Sequence, residues 1–236
     1  MSTLSAMGVE HLTGNLYRLL LGRFQAYLWR EDSTGTLIDT GAADSGGQIA
    51  IALDELGLAP QALTRVVLTH CHDDHVGAAA EIREWGGVEI VAHQADAPVI
   101  AGARAAPPPE LTGEEAELYA RMTADLPPAP PVEVDHAVQD GAVLDFGGGA
   151  EVLAVPGHTP GSLALHLPEH GILFAGDVVA EHLGRLLLGP FNVDPAQAVD
   201  SMKRLAGLDV EVAVFGHGEP VLQRAGARLR EAVEAL

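Results

Sequence analysis

Cysteine is nearly absent from this chain. Cys71 stands alone among 236 residues, so no disulfide can form within the chain and a reducing compartment is the expected setting. Aromatic residues are scarce at 4%, which leaves packing to Ala, Val and Leu. Bases are few as well: 13 Lys and Arg against 33 Asp and Glu give a formal charge of −20. A surface that acidic repels nucleic acid and anionic membrane, where affinity comes from Lys and Arg neutralising phosphates. Neither is expected as a partner. No apolar run approaches the roughly 18 residues that span a bilayer. Residues 1–12 lack both a basic start and an apolar core, so no signal peptide is read and a cytoplasmic location is expected. Small neutral or weakly charged substrates remain open, and an oligomer is compatible with the sequence.

What is present points to a globular enzyme. Apolar residues make up 47% of the chain, and 27 glycines and 15 prolines supply turns. The length suits one α/β domain over residues 1–236. Short β-type runs occupy 16–21, 24–29 and 36–39, followed by helical spacing over 43–56 that stops at Gly57. A buried strand at 66–68, a helix at 76–85 and a strand at 88–91 come next. Strands at 143–146, 152–155, 162–167 and 172–174, a helix at 195–205, a strand at 210–215 and a final helix from about 220 repeat the order. Such an order predicts two sheets face to face with helices outside.

Residues 104–135 differ in composition and read as a Pro-rich helical insertion. Prolines at 107–109, 127, 128, 130 and 131 bracket a helix over 113–125, and Thr112 with Glu115 spells a capping box. Leu118, Tyr119, Met122 and Leu126 form a narrow apolar stripe on it. Two readings stay open for the segment: a lid or substrate wall, or a stiff connector.

The chemistry concentrates in His70-Cys71-His72-Asp73-Asp74-His75, directly after the apolar strand at 66–68. His70 and His72 are two apart, so in an extended loop both rings fall on one side and can grip one ion. Asp74 and His75 stand at the turn into the next helix, able to face a second. Imidazole suits zinc and other borderline metals, and a carboxylate offsets the charge. Packed into a core without a metal, these groups would be costly. Three more ligand types follow apolar strands at tight turns: His158 in Pro156-Gly157-His158-Thr159-Pro160-Gly161, Asp177 in Ala175-Gly176-Asp177, and His217 between Gly216 and Gly218. Cys71 is read as a packing residue inside the run.

This pattern resembles the metallo-β-lactamase superfamily, whose H-x-H-x-D-H motif is followed by separate His, Asp and His ligands. The resemblance runs over essentially the whole chain. It implies an αββα four-layer sandwich with metals at one edge of the sheets. It implies two zinc ions per chain, with iron or manganese as alternatives. His70, His72 and His158 would hold one ion, Asp74, His75 and His217 the other, and Asp177 would bridge them. The implied reaction is attack of metal-bound hydroxide on an ester-like bond (thioester, lactone or ester) of a small-molecule acyl substrate, with Asp74 accepting the proton. Asp39, in Leu37-Ile38-Asp39-Thr40-Gly41, resembles a family position that supports the ligands through hydrogen bonds. His182 and Arg185 follow Asp177 closely and are candidates to contact substrate.

Within the superfamily, antibiotic-cleaving branches generally carry Cys or Ser where Asp177 stands, which argues against β-lactam cleavage. The 156–161 turn and Ala175-Gly176-Asp177 are similar to the glyoxalase II-like branch. Only 19 residues follow His217, short of the helical extension that helps glyoxalase II bind glutathione. Acyl-homoserine lactonases commonly place Tyr where Ala180 stands. An iron-dependent persulfide dioxygenase, using two His and one Asp, is the non-hydrolytic alternative, and a non-catalytic metal-binding protein is the third.

Overall fold

Alternation of side chains along each strand sorts the residues into layers. In the computed structural model, which describes residues 7–236, the chain opens on a meander of β1 (Met7–Thr13), β2 (Leu16–Leu21), β3 (Phe24–Glu31) and β4 (Thr34–Ile38). The 1–12 stretch read for a leader begins at residues 1–6, which lie outside the described residues. Helix α1 (Gly46–Glu55) crosses to β5 (Leu63–Leu68), and α2 (Asp73–Val76) and α3 (Ala79–Arg83) lead to β6 (Glu89–His93). After α4 (Ala97–Ile100), the Pro-rich segment carries α5 (Gly113–Thr123) and returns into β7 (His136–Val138). These seven strands form one sheet in sequence order, antiparallel from β1 to β4 and parallel from β4 to β7.

The second half supplies β8 (Val143–Leu144), β9 (Ala150–Ala154), β10 (Leu163–Leu167) and β11 (Ile172–Phe174). A hairpin of β12 (Val179–His182) and β13 (Arg185–Leu188) and helix α6 (Pro195–Ala206) precede β14 (Val212–Val214), and α7 (Ala225–Glu234) ends the chain. The second sheet runs β14-β11-β10-β9-β8, with β14 parallel to β11.

Three apolar layers result. Val66 and Leu68 point outward to α1 and α3, where Ile49, Leu53 and Ile82 cover them. Val67, one residue away, points inward with Tyr27, Trp29 and Ile38 to meet Leu163, Leu165, Phe174 and Val214 of the other sheet. On the far side Ala164 and Leu173 pack with Met202, Leu205 and Leu229 of α6 and α7. Each fully buried Leu or Val contributes about 1.5–3 kcal/mol of transfer free energy. The arrangement is helix, sheet, sheet, helix, as expected from the sequence.

Strand direction then sets the site. β4 and β5 are parallel, as are β11 and β14, while β9 lies two antiparallel steps from β11. Their C-terminal ends therefore open at corresponding edges, just before Asp39, His70, His158, Asp177 and His217.

Local departures from the expected elements have identifiable causes. The helix read over 76–85 is broken into α2 and α3, because Gly77 leaves the helical ladder and donates its N–H to the Gly41 carbonyl at 2.9 Å. A Cβ on Gly77 would overlap the Ala42–Ala43 backbone, so only glycine permits the contact. Asp74 and His75 consequently lie on α2 itself, not at a turn preceding a helix. The final helix starts at Ala225, later than expected, because Val221 pairs with Ala213. The β12–β13 hairpin has no counterpart among the expected elements.

The return of the Pro-rich segment is fastened by Asp135. Its carboxylate accepts from both Arg83 Nη atoms (2.7 and 2.9 Å) and from the Ile90 amide (2.8 Å). Hydrogen bonding from Arg83 holds the Asp135 pKa down at about 2, against an ordinary 3.8. A depressed folded-state pKa gives stability that is full above the ordinary value and lost as pH falls toward 2. Asp135→Asn is expected to lower unfolding free energy by about 1 kcal/mol at pH 7, allowing for solvent screening of a partly exposed pair. In urea titrations the gap from wild type should shrink between pH 4 and pH 2, and a gap constant with pH would contradict the assignment.

Candidate metal centre

Leaving β5, the chain cannot continue as strand because Thr69 is held by Asp39. The Asp39 carboxylate accepts from the Thr69 amide (2.7 Å), the Thr69 hydroxyl (2.8 Å) and His75 Nδ1 (2.8 Å). Asp39 itself has φ +61°, a left-handed conformation that Asp tolerates better than most residues. These bonds decide two tautomers. The Nδ1–H of His75 is given to Asp39, which leaves Nε2 with its lone pair. Because the Thr69 hydroxyl spends its proton on Asp39, it accepts from His70 Nδ1 at 3.0 Å, and His70 Nε2 is likewise left bare.

Those bare nitrogens converge with others. His72 Nδ1 lies 3.0 Å from His70 Nε2 and 2.9 Å from His158 Nε2. One N–H on His72 could serve one of these contacts, never both. His217 Nε2 is 3.3 Å from an Asp74 oxygen and 3.3 Å from Asp177 Oδ2. Asp177 Oδ2 is also 3.7 Å from His158 Nε2, and Asp177 Oδ1 is 3.5 Å from His75 Nε2. Two trios with ligand atoms close enough to share an ion are His70–His72–His158 and Asp74–His75–His217, and His70–His75–Asp177 forms a third. Ligands about 2.0–2.1 Å from a tetrahedral ion lie roughly 3.3 Å apart, near the spacings seen here.

The residues fit a cation on a further ground. His75 Nε2, His158 Nδ1 and Asp177 Oδ1 are buried without a hydrogen-bond partner. Such orphaned groups are costly in a packed interior, and an ion among the first and last of them would relieve the cost. Protonation divides the cluster in two. Burial, reinforced by neighbouring imidazoles, pushes the His70 pKa well below the ordinary range and His158 down to about 3. Burial also lowers His72. At His75 burial acts in the same direction, but the carboxylates of Asp177, Asp39 and Asp74 outweigh it and raise the pKa well above the ordinary value. The Asp177 carboxylate raises His217 to about 10. Without a cation, the lone pair left on His75 Nε2 takes up a proton and His217 is protonated as well, so these protons stand where cations would neutralise Asp74 and Asp177.

Separate fasteners hold the loops. Asp96, 1% exposed, accepts from the Cys71 amide (3.0 Å), the Thr159 hydroxyl (2.6 Å) and the Gly161 amide (2.8 Å). It ties the His70–His72 loop to the loop of His158. Sequence reasoning missed it. An Asp ahead of Ala97-Pro98 reads as a helix cap, yet its side chain makes no capping bond to α4 and turns to the two loops instead. The His217 loop is held from β2 and β3. Gln25 donates to the Phe215 and Gly218 carbonyls (2.9 and 3.0 Å), Tyr27 donates to Phe215 (2.8 Å), and buried Arg18 pairs with Glu219 at 2.9 Å. Gly216 packs so tightly that a Cβ there would overlap the Asp177 carboxylate.

A cavity of about 320 Å³ opens over the cluster, reaching His72, Asp74, His158, Asp177 and His217. Its walls are Phe24, Tyr119, Met122, Leu126, Pro190 and Phe191, with Arg23 as its basic residue. His182 and Arg185, expected near the substrate, do not line it. They pair across the exposed end of the β12–β13 hairpin, and Arg185 faces a separate cleft against α7. The hairpin end is held against α7, where Arg228 donates to the Gly184 carbonyl at 2.9 Å, which proximity in sequence to Asp177 does not reveal. Cys71 sits in the core beneath the loop, its thiol pKa raised by burial and by Asp96.

A sequence profile of the metallo-beta-lactamase superfamily matches residues 25–217. The chain belongs to this superfamily. Among its relatives in the superfamily, the probable metallo-hydrolase YflN of Bacillus subtilis (strain 168) is 32% identical over 92% of this chain and 86% of its own length. The hydroxyacylglutathione hydrolase of Rhodobacter capsulatus is 32% identical over 81% of this chain, which spans 61% of that relative. A metallo-beta-lactamase of Cronobacter sakazakii has the same fold, with a TM-score of 0.74 at 19% identity over 96% of this chain and 90% of that one. A metallo-beta-lactamase family protein of Thermus thermophilus gives 0.70 at 26% identity, covering 95% and 79%. Among the described residues, no helix is long and apolar enough to cross a membrane.

For this superfamily member, the triple role of Asp39 generates a direct test. Asp39→Asn keeps the volume and tolerates the left-handed backbone, but it cannot accept from both Thr69 and His75 as the carboxylate does. Zinc affinity measured by chelator competition is expected to fall about 10–100-fold. Unchanged affinity would mean that Asp39 shapes the turn only.

Proposed function

We propose that this protein is a dinuclear metal-dependent hydrolase cleaving an ester-like bond of a small acyl substrate, a thioester before a lactone or simple ester. The observation that carries the reading is the position of Asp177. Its two oxygens lie 3.3 Å from His217, 3.5 Å from His75 and 3.7 Å from His158, so one carboxylate faces both trios at the floor of a cavity. His70, His72 and His158 would hold one ion, Asp74, His75 and His217 the second, and Asp177 both. Zinc suits this imidazole and carboxylate set. Bound there, paired cations acidify a water and polarise a carbonyl oxygen.

The remaining tasks fall to the chain. Asp74 lines the cavity with 19% of its side chain exposed, against 9% for Asp177. One Asp74 oxygen faces His217 at 3.3 Å and Oδ1 lies 3.9 Å from His75, and in this reading Asp74 would accept the proton of the water. An Asp at position 177, together with relatives that are hydroxyacylglutathione hydrolases, supports thioester over β-lactam cleavage. The whole chain serves as one catalytic domain in this reading, with 104–135 inserted in it.

Asp74→Asn is expected to lower kcat/KM on the best thioester by about 10²–10⁴. The assay pairs metal analysis with a panel of thioesters, lactones, β-lactams and persulfides. About two zinc per chain with ester-type turnover is the expected result. One iron with persulfide oxidation, or no turnover despite full loading, would overturn the proposal.

A further inference from the structure

Helix α5 is an anomaly in the packing. No residue along its length is buried, and none belongs to any of the three apolar layers. Met122 is 44% exposed and Leu118 39%. A helix of this length gains little from its own backbone and normally relies on a buried face. Here order comes from the ends. Thr112 and Glu115 close a full capping box at the start. The Glu110 amide donates to the Asn192 carbonyl (2.8 Å), and the Ala129 amide donates to the Asp73 carboxylate (2.8 Å) beyond the other end.

Those tethers suspend the helix beside the metal-type cluster with Tyr119 and Met122, and Leu126 just past its end, turned to the cavity. Tyr119, Met122 and Leu126 line that cavity together with Phe24 and Phe191. The Tyr119 ring meets the Phe191 ring edge-on at 5.1 Å. Exposed apolar side chains gathered around a concave site mark a surface completed by a ligand. The volume of about 320 Å³ lies at the small end of ligand pockets, which span about 300–1,000 Å³.

We infer that α5 is the specificity wall of the enzyme, and that the substrate carries an extended apolar body that lies along Tyr119, Met122 and Leu126 while its acyl carbon reaches Asp74 and Asp177. The inference rests on the hydrolase reading for the orientation of the substrate, and on the wall alone for its apolar character. Burial of this surface supplies binding energy remote from the reacting bond, which selects among acyl substrates by chain length.

Calorimetric titration of the zinc-loaded protein with neutral N-methyl amides, whose alkyl group on the carbonyl carbon runs from ethyl to octyl, tests the wall without turnover. Affinity is expected to rise about threefold per added methylene until the cavity is full. In the double variant Met122→Ser, Leu126→Ser the octyl-to-ethyl affinity ratio should drop at least tenfold. Both positions are solvent-facing or half-buried, so the fold is spared, as circular dichroism would verify. Affinity independent of chain length, no binding at any length, or the same rise in the variant overturns the inference. Acetyl and octanoyl thioesters of N-acetylcysteamine, assayed in parallel, separate the two readings. Length-dependent binding without hydrolysis of either thioester, or of the lactones of the panel above, removes the hydrolase and keeps the wall. Hydrolysis indifferent to length, with flat binding, removes the wall and keeps the hydrolase.

Discussion

Lone pairs crowded against lone pairs are the constraint on which this structure turns. His70, His72 and His158 direct three nitrogens at one point with contacts of 2.9 and 3.0 Å, and two carboxylates close the other side. Brought together without a positive charge, these atoms repel, and burial removes the water that would screen them. Protons on His75 and His217 supply part of that charge, but they leave the three-histidine side unanswered. A metal ion would answer it, and the seven groups are of the type that zinc prefers.

Holding such a cluster in place requires a frame stiffer than the repulsion. The two sheets provide it by ending five strands at one edge, so that the candidate ligands follow buried strands within a few residues, Asp74 and His75 by way of the short α2. Hydrogen bonds then fix the loops individually. Asp39 orients His70 and His75 through Thr69 and directly, Asp96 joins the loops of His72 and His158, and Gln25 with Arg18 restrains the loop of His217. Tight glycine contacts at positions 77 and 216 leave little room for the loops to relax. The cavity stays open above this floor because α5 is roped across it at both ends instead of being packed down.

Much of this was legible in the amino-acid sequence, for physical reasons. Strand and helix periodicity gave the order of layers because each layer buries one face. The motif from His70 to His75 stood out because clustered imidazoles and carboxylates have few uses without a cation. Local chemistry also sufficed for α5, where Thr112 and Glu115 formed the capping box that their spacing foretells. What stayed hidden was tertiary. Asp96 bonds groups 25 and 65 residues away, and nothing near it in sequence announces partners so distant. The break at Gly77 depends on backbone contact with Ala42. His182 and Arg185 were drawn to the site by nearness to Asp177, but the hairpin carries them off it, and the basic residue at the cavity is Arg23.

The central claim is that paired cations sit where the ligand atoms converge. Crystals of protein purified with zinc, measured on both sides of the zinc absorption edge, test it most directly. The account predicts two anomalous peaks per chain, one enclosed by His70, His72 and His158 and one by Asp74, His75 and His217, with Asp177 between them. A zinc-saturated crystal with no anomalous peak among these seven side chains would contradict it.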